Sequence, residues 1–67
     1  MKNFNFFINY IEVSKNTHTI VASGSILFDT RASSYEKART QALEHAQAIA
    51  RDYDKQQTYF FFLIGRP

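Results

Sequence analysis

The chain has no cysteine, one proline, two glycines and no run of like charge among its 67 residues. Without cysteine no disulfide can staple it. Two histidines alone leave a structural zinc site, built from four Cys or His ligands, short of donors. The two glycines, Gly24 and Gly65, stand apart, so no Gly-rich phosphate loop exists. Lys and Arg are scattered at 2, 15, 31, 37, 39, 51, 55 and 66, and the net charge is only +2. A duplex-DNA binder would concentrate such residues on one face. No stretch approaches the roughly 18 apolar residues that read as a membrane span. Asn3, Asn5 and Asn9 interrupt the apolar amino end, and no small-residue cleavage site follows it, so it reads as a strand and not as a signal sequence. The expectation is a soluble, cytoplasmic protein.

At this length the chain is one domain, residues 1 to 67, because smaller pieces could not bury a core. Domains below about 70 to 80 residues usually need disulfides, a metal or oligomerisation in addition to their core. With the first two set aside, oligomerisation remains.

What the sequence does have is apolar, strand-forming surface. Residues 3 to 13 alternate and are rich in Phe, Ile, Tyr and Val. Ser14-Lys15-Asn16-Thr17 is a polar break, and residues 18 to 28 alternate again, so the pair reads as a β-hairpin. With Lys15 and Asn16 as a two-residue loop, Val13 opposes His18, Ile11 opposes Ile20 and Phe7 opposes Gly24. This register places Phe7, Ile11, Val13, Ile20, Ala22, Ile26 and Phe28 on one face and Phe4, Phe6, Ile8 and Tyr10 on the other. The second strand is strongly apolar only on the first face, which is therefore expected to lie under the helix. A ring over Gly24 or a bulge there would both suit a strand glycine, and a bulge would shift the register beyond it.

Ser33-Ser34-Tyr35-Glu36 matches the capping box and predicts a helix over 34 to 53 with Ser33 as its cap. On a helical wheel Tyr35, Ala38, Ala42, Leu43, Ala46, Ile49, Ala50 and Tyr53 share an arc of about 140°. The alanine ladder 38, 42, 46 and 50 lets the helix approach a sheet closely. Residues 58 to 64 form a third strand, apolar on both sides. The resulting class is α+β, in the order ββαβ, with an antiparallel sheet ordered 3-1-2 and one helix across one face.

One helix covers one face, and two are apolar. The expected contact surface is the uncovered face, assigned to Phe4, Phe6, Ile8 and Tyr10 together with Tyr59, Phe61 and Leu63; periodicity alone leaves Phe60, Phe62 and Ile64 open as the alternate set from the third strand. Soluble monomers rarely expose large apolar patches, so this face is expected to meet an identical face in a homodimer or another protein. The third strand, at an edge without an internal Lys or Pro, offers strand pairing as a second route. Size and architecture suit a phage or mobile-element accessory or inhibitor protein, an inference by association. The alternative is a single-stranded nucleic-acid binder that stacks bases on the same rings, with Lys2, Lys15 and Arg66 at the rim. The chain has no Lys-Gly-Phe-Gly run of the kind found in RNA-recognition sheets.

Nothing points to chemistry. His18 and His45 lack companion ligands, and Glu44 points about 100° away from His45 on a helix. Arg39, the one charge inside the apolar arc, reads as a snorkelling side chain or a partner for Glu36. The serines have no base beside them, and a single thin layer has little depth for a substrate pocket. No enzymatic activity, cofactor or metal is expected.

Overall fold

The computed structural model describes all 67 residues. It contains β1 (Lys2–Ser14), β2 (Ile20–Ala32), α1 (Tyr35–Lys55) and β3 (Thr58–Gly65). β1 lies between β2 and β3 and is antiparallel to both, so the sheet is open and the fold is α+β. The ββαβ order and the strand sequence agree with the reading above. β2 runs four residues further than the alternation suggested, because Thr30 and Ala32 keep the parity of Phe28 and continue under the helix.

The register of the hairpin departs from expectation, and with it one face assignment. Paired positions sum to 34 from Lys2↔Ala32 to Glu12↔Ala22, where a two-residue loop would give 31. Two of those three steps come from the loop. It comprises Lys15 to His18 and is closed by the Ser14 amide donating to the Thr19 carbonyl (2.9 Å). Inside it the Ser14 hydroxyl accepts from the amides of Asn16 and Thr17, the His18 amide donates to the Ser14 carbonyl, and His18 takes a left-handed φ of 56°. The third step is a bulge: Glu12 pairs with Ala22 but Val13 with Ile20, leaving Val21 as the extra residue. A shift by an odd number turns β2 over relative to β1. Phe28 and Ile26 therefore share a face with Phe6 and Ile8, and the ring that covers Gly24 is Tyr10, not Phe7.

The helix lies on that face. Ala38, Ala42 and Ala46 are completely buried, and Phe6 (1% exposed), Ile8 (0%), Ala32 and Phe60 complete the core, with Phe4, Phe28 and Ile64 packed around it. Small residues on α1 meet large ones on the sheet, so the two layers approach closely. Rings close both ends: Tyr35 packs on Phe4 and Phe6, while Tyr53, Phe60 and Tyr10 stack in sequence at 5.1 and 4.9 Å between centroids.

The helix starts one residue later than the capping box implied. Ser34, extended at φ −148° and ψ 159°, is the cap, and its hydroxyl accepts from the Lys37 amide. Glu36 then falls in the first turn, where a negative charge suits the helix dipole. Arg39 is exposed and takes no part in an ion pair. At the other end Gln57 adopts φ 67°, which turns the chain into β3. There Lys15 ties the hairpin loop to the end of the helix: its ammonium pairs with the Asp54 carboxylate and its amide donates to the Gln57 carbonyl.

The result is thin. The chain measures 44 × 21 × 13 Å, with a radius of gyration of 13.2 Å. A compact domain of this length would have a radius near 11 Å. Only seven residues are buried, which makes the uncovered side of the sheet the largest feature left to explain.

Candidate interface on the open sheet face

Three strands project alternate residues away from the helix, and the pairing orders them into rows across the sheet. From one end these are Tyr59–Val13–Ile20, Phe61–Ile11–Ser23, Leu63–Asn9–Ser25 and Gly65–Phe7–Leu27. Leu63 is the most exposed of them at 77%, and Phe61 beside it on β3 is 54% exposed. Tyr59, Ile20, Val21, Leu27 and Ile11 are exposed as well. Across the sheet, Ser23 and Ser25 are too small to match Phe61 and Leu63. The difference leaves a shallow depression of about 570 Å3 beside the ridge, with Asn9 and Ile11 among its lining. Ser25 donates to the Asn9 side-chain oxygen (2.6 Å) in its floor.

Of the residues assigned to the contact surface from sequence, the structure divides β1 from β3. Tyr59, Phe61 and Leu63 lie on the open face. Phe4, Phe6, Ile8 and Tyr10 do not: they face the helix, and Phe6 and Ile8 are the largest fully buried side chains in the chain. The odd register shift is the physical cause. Their place is taken by Phe7, Ile11 and Val13, which had been assigned to the core. Ser23, Ser25 and Leu27 join them from β2, and Asn9 lies between. A signal for the right choice exists in β1 itself. Its even positions from 4 to 10 are all apolar, whereas Asn3, Asn5 and Asn9 share the odd face, and the uninterrupted side of a strand is the better core.

Of the cations expected at the rim of a base-stacking surface, Lys15 and Arg66 are each held by another side chain. Lys15 is paired with Asp54 and lies over the Tyr59 ring at 5.1 Å. Arg66 lies over the ring of Tyr35, the first residue of the helix, at 4.9 Å. Lys2 has the parity of Phe4 and Phe6, the helix side. By the same parity the open face carries one acidic and one basic side chain, Asp29 and Arg31, at the end away from the depression.

The opposite side holds the one perturbed group. The Glu12 carboxylate, by its charge, raises the Tyr53 phenol above its ordinary value; desolvation, the hydrogen bond the phenol donates to Glu12 and the nearby Tyr10 add to the effect. This pair joins the end of α1 to β1. His45 stacks on Phe28 at 4.8 Å, and no three His, Cys, Asp or Glu side chains gather into a metal-binding group. No helix is long and apolar enough to cross a membrane.

Comparison with protein-family models, with curated proteins and with solved structures finds no match.

Proposed function

We propose that the chain is a non-enzymatic protein–protein interaction module whose contact surface is the open sheet face, centred on Phe61, Leu63 and Ile11. The observation that carries this reading is the ridge of Tyr59, Phe61 and Leu63 standing exposed on a sheet face whose charges, Lys15 and the pair Asp29 and Arg31, lie at its two ends. Apolar surface of this extent is costly to leave in water, and the core of a protein interface is depleted of charge in the same way. A nucleic-acid surface would instead need free cations near the rings, and Lys15 and Arg66 are occupied. A cytoplasmic setting and a role as a phage or mobile-element accessory protein belong to the same proposal, supported by size and architecture alone.

The test is a photo-cross-linking amino acid placed at Phe61, with the same group at exposed Ala48 on the helix as control. The proposal expects an adduct with a polypeptide from position 61 and none from 48. An adduct with nucleic acid, or no adduct from 61, overturns it. Binding to a single-stranded oligonucleotide that weakens steeply with salt would favour base stacking.

A further inference from the structure

Resting on that reading, the geometry points to the occupant of the face: a second copy of this chain, packed sheet to sheet about a two-fold axis that runs along β1. Such an axis exchanges the two sides of the sheet, so β3 of one copy lies over β2 of the other. The rows then match by size. Phe61 falls over Ser23, Leu63 over Ser25, and Leu27 over Gly65, each contact occurring twice. Large side chains meet small ones in three successive rows, and the ridge of one copy enters the depression of the other. Neither edge pairing nor an axis across the strands would produce this matching.

The remaining features agree. Phe7, Asn9 and Ile11 of β1 lie on the axis, where Asn9, accepting from Ser25, meets its own counterpart; a polar pair at the centre of a largely apolar contact pins the register. The middle of the face carries no charge to repel its copy, since Lys15 and the pair Asp29 and Arg31 lie at opposite ends. The outline of the whole chain, 44 Å by 21 Å, caps the footprint at about 900 Å2 per copy, so a standard stable interface of roughly 800 Å2 per partner needs almost all of it. Nearly the whole face is therefore used, at the separation of about 10 Å usual for stacked sheets and with strand directions inside the roughly 30° such sheets keep. Both helices remain outside, giving four layers.

The experiment is a size swap read by light scattering over a dilution series. The parent chain is expected to be a dimer at low and high salt. Ser25→Leu sets two leucines against each other, Leu63→Ser opens a void, and each should weaken the dimer about tenfold or more. Ser25→Leu combined with Leu63→Ser exchanges ridge and depression and should restore the parent affinity to within about threefold. Both positions are exposed, and an unchanged far-UV spectrum confirms the monomer fold. Should that pair fail to fold, Ser23→Leu with Phe61→Ser repeats the test one row along. A parent chain that stays monomeric at every concentration overturns the second copy, while a polypeptide adduct from position 61 would leave the contact-surface reading standing. A dimer indifferent to the single changes, or one in which the double change loses as much as the two singles together, overturns this axis in favour of edge pairing.

Discussion

Replacing Ala42 by leucine tests the packing on which every face assignment rests. Ala42 is fully buried in the middle of α1, in one cluster with Phe6, Ala32 and Ala38. A leucine there must fit three further carbons between helix and sheet, and the neighbours that would have to yield are a ring and two other buried alanines. Overpacking of this kind costs about 1 to 3 kcal/mol. Unfolding entropy of about 2.1 cal/mol/K per residue gives roughly 140 cal/mol/K for this chain, so each kcal/mol lowers Tm by about 7 °C. The expected loss is thus about 7 to 20 °C, out of a total stability of order 3 to 10 kcal/mol. The assay is thermal unfolding by circular dichroism at one fixed protein concentration, since association would itself move Tm. Ala48→Leu, on the exposed side of the same helix, is the control and should stay within about 0.5 kcal/mol of the parent. If Ala42→Leu melts with the parent, or Ala48→Leu falls as far, the helix does not lie where the burial pattern puts it.

Phe6→Ala should destabilise by about 3 to 5 kcal/mol, whereas Phe61→Ala should leave the stability of the monomer nearly unchanged and weaken association; denaturant melts of dilute protein and light scattering separate the two effects. Gln57→Gly should raise stability by about 0.5 to 1 kcal/mol, the relief of a left-handed φ less the added freedom of the unfolded chain, and a denaturant midpoint that falls would refute the backbone argument. Because the folded-state pKa of Tyr53 lies above its unfolded value, the folded chain holds that proton more tightly; the contribution is complete below the unfolded pKa near 10 and is lost as pH rises from there through the folded value. Stability should therefore fall over that alkaline range, and both Tyr53→Phe and Glu12→Gln should flatten the decline; an unaltered slope in either variant removes the Glu12–Tyr53 coupling.

Local signals served well where structure is local. The alternation in β1 and β3, the alanine ladder of α1 and the Ser-rich cap were all legible, the last with an error of one residue because Ser33 and Ser34 are both competent and only the backbone selects Ser34. The face of β2 that meets the helix was also legible, since Ala22, Ile26 and Phe28 share it. The candidate site was half legible. For β3 the sequence offers Tyr59, Phe61 and Leu63 with the alternate set Phe60, Phe62 and Ile64 left open, and only the pairing with β1 selects the first; Phe4, Phe6, Ile8 and Tyr10 read as open-face residues but lie on the helix side, Phe6 and Ile8 fully buried. The error came from the hairpin. Ser14 to Thr19 contains no Asn-Gly to declare its length, and nothing in the local sequence marks Val21 as a bulge.

The sequence by itself determined the elements, their order and the fact that one apolar face would remain uncovered, because these follow from residue periodicity and from having one helix for a two-sided sheet. The pairing that joins the apolar side of β2 to the even-numbered side of β1 was decided only in three dimensions. A pleated strand reverses its side chains at every residue, so the single extra residue at Val21 exchanges inside for outside along the rest of β2. Its energetic consequence is spread over the packing of Phe6, Ile8, Phe28 and the buried alanines, contacts between residues far apart in the chain.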